Sequence, residues 1–470
     1  MSTTPAPPPD RAAGAAGAPS AGPVRERGDA CPGALRLHAA DDGALARIRL
    51  PGGLLTARQA RLLADLAETP GDGHLDLTSR GNVQLRGLPA GCGGPLAERL
   101  RLRGLLPSER HDRIRNVAAS PLCGLDGFSP DLDGFSPDSA SGVEGAPADV
   151  QAWARELDGL LCSDDAPADL TRLSGRFLFG LDDGRGDIVA LRPDVTLIAS
   201  GAGRALLCFG TTGPGLRVPA ADAPRAAVLA AAEFLAAREA SGSGAWRVRE
   251  LPAGQRPAAG RLAERLTAAG IASAVLPAPR IPLGGPAVPG LVTGPDGTCS
   301  LSVTAPLGRL TAAQWRLVVR MAVKEGNQTI RVTPWRGLVV PGFPAEEAPG
   351  LLADLAGAGF VTSAESAWHR AGACAGRPGC AKSLADVRAD AAACLASGQA
   401  AGAAALPVYW SGCERRCGHP GGGPWVDVLA TGEGYRVTVR DEDGGRQDAG
   451  PRTVPAAGLA GAVAAARTTT

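Results

Sequence analysis

The chain has 470 residues, enough for about three domain-sized units, and its 48 basic and 47 acidic residues leave a net charge of +1. Such a balance supplies no general field for nucleic acid or anionic lipid, so any cationic patch must be local. Lys324 and Lys382 are the only lysines, and nearly all positive charge is therefore arginine.

Residues 1–28, rich in Pro, Ala and Gly, read as a disordered arm without the apolar core of a secretion signal. No run of about 18 apolar residues suggests a membrane span, and a cytoplasmic address is expected. Eleven cysteines is an odd count and sparse for this length, which favours metal ligands or thiols over a disulfide framework.

An internal repeat organises the rest. PGGLLTARQA (51–60) matches PLGRLTAAQW (306–315) at an offset of about 255 residues, far longer than solenoid units of roughly 20–50. Each copy carries a capping box, Thr56 to Gln59 and Thr311 to Gln314, opening a helix whose apolar residues (Leu62, Leu63, Leu66; Leu317, Val318, Met321) recur at helical spacing. A strand follows in each, His74–Thr78 and Thr329–Thr333, leading to Arg80-Gly81 and Arg336-Gly337. Duplication of a whole lobe is implied, and a duplicated lobe commonly builds a cleft at its pseudo-symmetry axis.

Between the copies, short strands are predicted at Arg176–Leu181, Ile188–Ala190 and Thr196–Ile198, with a helix near Ala226–Ala237. The fold class expected is α+β, divided as 29–100 (first half domain), 101–240 (first ligand-binding domain), 241–345 (second half domain), 346–440 (cysteine-bearing domain) and 441–470 (polar tail). The direct repeat LDGFSPD at 125–131 and 132–138 reads as a loop insertion.

Cys374-x5-Cys380 and Cys413-x3-Cys417, flanked by Gly372, Gly376, Gly379, Gly412 and Gly418, form the strongest chemical signal. Structural zinc usually takes tighter C-x2-C knuckles, whereas four thiolates on two glycine-flanked loops suit a 4Fe-4S cluster. Zinc and unliganded thiols are the alternatives. Cys380 is expected to open a helix running to about Leu395, whose dipole would favour a negative cluster. Cys394 would lie on that helix's apolar face. Cys31, Cys92, Cys123, Cys162, Cys208 and Cys299 read as core or loop positions.

Arginines punctuate the strand ends: Arg80 and Arg86 in LTSRGNVQLRG, Arg115 in RIRNVAASP, Arg176 in LSGRFLFGLDDG, and Arg336 in VTPWRG. Facing one cleft, they would fork onto a ligand with many carboxylates. Taken separately, each is an ordinary solvated arginine.

Together these motifs resemble the sulfite/nitrite reductase superfamily, in which two such repeats enclose a tetrapyrrole. Within it, CPG (31–33), NVAASPLCG (116–124) and SGC-x3-C-x-H (411–419) look like the oxygen-using branch of aerobic cobalamin biosynthesis. The resemblance implies that Cys374, Cys380, Cys413 and Cys417 hold the cluster. It implies catalytic roles for Arg80, Arg115 and Arg176, and binding of precorrin-3A by Arg80, Asn82, Gln84, Arg86, Arg115, Asn116, Arg176 and Arg336. Leu178 stands where reductases keep a second lysine, and Tyr409 where the branch often has histidine. The implied chemistry takes molecular oxygen, electrons from a ferredoxin or flavoprotein, and a mononuclear non-haem iron whose ligands are not assigned; His111 beside Asp112, and His419, are the most suggestive histidines. The rival readings are a siroheme-dependent sulfite or nitrite reductase and a non-enzymatic tetrapyrrole-binding electron carrier.

Overall fold

The fold is taken from a computed structural model that describes residues 29–468 apart from 30, 130–147, 202, 211–212, 278, 280–282, 398–403, 422 and 442–451. Thr56 and Thr311 each accept a hydrogen bond from the backbone N–H of Gln59 and Gln314, and each glutamine side chain returns the bond, so both boxes start helices, Ala57–Glu68 and Ala312–Lys324. These two helices pack against each other. Trp315 is fully buried between them, its indole N–H donating to Ala60 O at 2.8 Å.

The two half domains exchange strands. One antiparallel sheet runs His38–Ala40, Gly43–Ile48, Val83–Leu88, His74–Leu77 and then Arg309–Thr311, which belongs to the second copy. Its counterpart runs Gly290–Thr293, Cys299–Thr304, Gly337–Phe343, Thr329–Val332 and then Leu54–Thr56 from the first. The glycine that ends each repeat's opening turn explains itself here. A Cβ on Gly53 would lie 2.0 Å from Val332 O, and one on Gly308 would lie 2.2 Å from the Arg336 side chain. Both halves share one apolar core.

Two further sheets repeat a second pattern. Val117–Ala119, Phe179–Asp182 and Val195–Ser200 pair in parallel, and Arg204–Phe209, Gly215–Pro219 and Ala274–Leu276 continue antiparallel. Likewise Ala371–Ala373, Val408–Ser411 and Trp425–Thr431 are parallel, then Gly434–Arg440 and Arg452–Val454 antiparallel. The duplication therefore extends beyond the half domains.

Several expectations change. Phe179–Asp182 is shorter than the predicted strand, and Ile188–Ala190 is no strand. Both Asp182 carboxylate oxygens collect backbone N–H groups there, from Gly184 and Gly186 and from Ile188 and Val189, at 2.8–3.0 Å. The helix Ala259–Ala268, expected with the second half domain, buries Leu262 and Leu266 in the core of the six-stranded sheet. The tail is not merely polar: the helix Leu459–Arg467 buries Leu459 and Val463 on the last sheet, and Arg467 donates to the carbonyls of Ala367, His369 and Leu406. Most consequentially, the helix predicted from Cys380 begins at Val387, where Asp386 caps it through Ala389 N–H at 3.1 Å. Cys380 sits in the turn before it and does not open that helix. The second LDGFSPD copy lies outside the described residues; the first docks Asp126 and Phe128 on Arg185. No described helix is long and apolar enough to cross a membrane.

Two consequences can be measured. Trp315→Ala removes the largest side chain between the paired helices and is expected to cost about 3–5 kcal/mol, read as a lower urea midpoint by circular dichroism. His369, only 8 % exposed, has its pKa lowered to about 4 by burial, then by Arg370 and Arg467. The folded imidazole stays neutral while the unfolded chain takes a proton near pH 6.5, so stability is whole above that pH and declines until about 4. The decline is worth about 3 kcal/mol. Urea midpoints from pH 7 to 4 should show His369→Leu with a shallower slope than the parent, and equal slopes would refute a buried neutral imidazole.

Candidate functional site

All four motif cysteines are free thiols at one edge of the last sheet, three partly buried and Cys417 exposed. Ala371–Ala373 and Val408–Ser411 run side by side in parallel, so the loops that leave them, carrying Cys374 and Cys413, start together. Gly412 N–H donates to Cys374 Sγ at 3.2 Å and closes one loop on the other. Gly376 and Gly418 turn at φ 69° and 86°, conformations open to glycine at little cost. The phenol of Tyr409 donates to Cys417 O at 2.7 Å. Ser411 shares that strand face by alternation, and its buried hydroxyl has no partner.

The donor set suits a metal–sulfur group. A single tetrahedral zinc would draw its sulfurs to ~3.8 Å of one another. Among the described residues, no three of these thiols lie within 4.8 Å of each other. Wider spacing, backbone N–H groups on sulfur and a spare hydroxyl fit an iron–sulfur cluster.

The arginines divide into two classes. Arg80 donates to Gly175 O at 3.1 Å, and its pKa is lowered to about 10 by burial, then by Arg247 and Arg47. Arg47, held down by burial and by Arg176, donates to Gln84 at 3.1 Å, while its Nε is buried without a partner. Arg176 is exposed and lies 4.8 Å over the Trp246 ring. Arg47, Arg80, Arg176 and Arg247 thus form one electropositive neighbourhood, with Cys31 and Asp29 beside it. Arg247 is paired with Asp194 at 2.5 Å. Sequence reading missed Arg47 and Arg247, since neither stands at a glycine-marked strand end.

Others expected at the ligand are engaged within the scaffold. Arg115, 2 % exposed, forks onto Asp158 at 2.6 and 2.7 Å and donates to Leu105 O. Asn82 accepts from Leu50 N–H, and its amide donates to Asn116, which in turn donates to Arg113 O and Gly175 O. Arg86 forks onto Asp42, and Arg336 lies 5.3 Å over the Tyr409 ring. Leu178 is buried in a small apolar cluster with Ala118, Ile188 and Trp335.

A mononuclear iron finds no matching set. Asp182, Asp183 and Asp187 alone among the described residues bring three ligand atoms within 4.8 Å. Asp182 is filled by four backbone N–H groups and Asp183 by Arg185. Burial, then Asp182, holds the Asp187 carboxyl well above the usual range. No histidine joins them: His111 bonds Ser108 and His419 stacks on Trp425. Asp112 is occupied by Ala34 N–H.

Residues 38–102 and 293–358 each match the nitrite/sulfite reductase ferredoxin-like half domain. A ferredoxin–nitrite reductase of Leptolyngbya laminosa is 39 % identical over 82 residues, 17 % of this chain and only 16 % of that protein. A precorrin-3B synthase of Sinorhizobium sp is 26 % identical over 406 residues, 84 % of this chain and 79 % of its own length. Among solved structures, the Mycobacterium tuberculosis NirA protein shares the fold with a TM-score of 0.65 at 18 % identity, covering 89 % of this chain and 79 % of that one. With its reciprocal strand exchange, the chain carries two copies of the nitrite/sulfite reductase ferredoxin-like half domain.

Proposed function

We propose that the chain is a precorrin-3B synthase, an oxygen-dependent enzyme that hydroxylates precorrin-3A at the meso carbon between rings A and D while a ring-A acetate closes a lactone. The single observation that carries this reading is likeness to a precorrin-3B synthase along 84 % of the chain, against short matches to the nitrite reductases. Leu178 supports it. Six-electron reduction of a small anion calls for concentrated cations and proton donors, and here the position is apolar and 3 % exposed.

Cys374, Cys380, Cys413 and Cys417 would hold a 4Fe-4S cluster, which supplies electrons when bound. This chain's own contribution is recognition and orientation. Arg80, Arg176 and Arg47 lie in one electropositive neighbourhood, whose guanidinium groups suit acetate and propionate carboxylates. Arg80 is fixed in advance by Gly175 O, the carbonyl that Asn116 also holds; less freedom is then lost on binding.

Anaerobically purified enzyme given precorrin-3A, a reductant and oxygen should yield a product heavier by one oxygen atom, and no such gain would sink the proposal. Siroheme in an acid–acetone extract of the same preparation would favour the reductase instead. Arg80→Ala is expected to weaken substrate binding about 10-fold or more, the value of one charge-assisted pair, as read by titration. Cys417→Ala should abolish visible absorption and turnover together, while Cys394→Ala, partly buried at the sheet's core, should leave the absorption unchanged. If both lose it, the division of the cysteines is wrong.

A further inference from the structure

Each cysteine loop is gripped by a different half domain, and the grip is made by an arginine. Arg86, from strand Val83–Leu88, is 6 % exposed. Its Nε and one terminal nitrogen fork onto Asp42 at 2.7 and 2.8 Å, and that same nitrogen donates to Gly379 O at 2.7 Å. Gly379 precedes Cys380. Asp41, beside Asp42, accepts the backbone N–H of Ala381 on the other side of Cys380. The loop's first cysteine is tied to the same half domain by Arg388, which donates to Cys374 O at 3.1 Å and to Asp76, on strand His74–Leu77, at 3.1 Å.

The second half domain treats the other loop in the same way. Arg336, at the turn before strand Gly337–Phe343, donates to Gly418 O, one residue after Cys417. Its guanidinium lies over the ring of Tyr409, whose hydroxyl holds Cys417 O.

We propose that Arg86 and Arg336 are positioning residues for the two cysteine loops, one supplied by each half domain, and not hooks for substrate carboxylates. The inference rests on the cluster reading above. Arg86 in particular has no vacancy: a substrate carboxylate would have to displace Asp42 from a buried fork and strand that charge. A thiolate-bound cluster is anionic, so a fixed guanidinium beside each loop also raises its reduction potential.

Arg86→Gln tests this, with Arg86→Lys and Asp42→Asn as companions that carry the same measurements should the glutamine variant not fold. Three quantities are read: iron release to a chelator, the cluster potential, and alkylation of Cys380 in the metal-free chain, followed by mass spectrometry. Arg86→Gln should release iron about 10-fold faster, show a lower potential, and alkylate Cys380 faster by a similar factor. Its affinity for uroporphyrin, an octacarboxylate probe, should match that of the parent. Arg86→Lys should recover the potential, which follows charge, and not the iron retention, which follows the fork. Parent-like iron release and Cys380 reactivity together with lost uroporphyrin affinity would overturn the proposal and return Arg86 to the substrate. Should the parent chain hold no iron while Cys380 still becomes more reactive in the variant, the grip stands and only the cluster reading falls. Parent-like reactivity in that case rejects both.

Discussion

The constraint on which the rest depends is reciprocal strand exchange. Leu54–Thr56 completes the sheet of the second repeat and Arg309–Thr311 that of the first. Neither half domain can close its sheet alone, and an unpaired edge would leave backbone N–H and C=O groups in need of partners. The pseudo-twofold axis is thereby built into the hydrogen bonding. The helices that follow the exchanged strands are pressed together at that axis, where Trp315 reaches Ala60. Arg316 adds ion pairs to Asp65 and Glu68 across the same seam.

What the exchange positions is two loops and one cationic wall. The first half domain reaches the cysteine-bearing domain through Arg86 and Asp41 and the second through Arg336, so its two loops are referenced to both repeats. Arg80, at the corresponding turn of the first repeat, instead faces Arg47, Arg176 and Arg247. Burying that many guanidinium groups together is costly, and burial and mutual repulsion depress the pKa of Arg80 and Arg49, to about 10 and about 9. A polycarboxylate ligand would relieve that repulsion.

Features written in local sequence were legible. The repeat, both capping boxes and the paired cysteines depend on residues a few positions apart, and the structure contains the boxes at the same threonines and glutamines. Features that depend on distant partners were not. Nothing near Arg115 reveals Asp158, and nothing near Arg86 reveals Asp42 and Gly379, so two scaffold arginines read like ligand arginines. Asn82 and Asn116 pair with each other for the same reason. The helix expected at Cys380 failed because Asp386 caps so well: the chain waits for the capping residue, and the cysteine stays in a turn. The tail misled through composition, since alanine and glycine conceal the buried face made by Leu459, Val463 and Arg467.

On the proposed reading, four cysteines held from both half domains take one cubane cluster. Iron and acid-labile sulfide analysis of anaerobically purified chain tests it most directly. About four iron and four sulfide per chain are expected, with little zinc. One zinc per chain and no sulfide would contradict it.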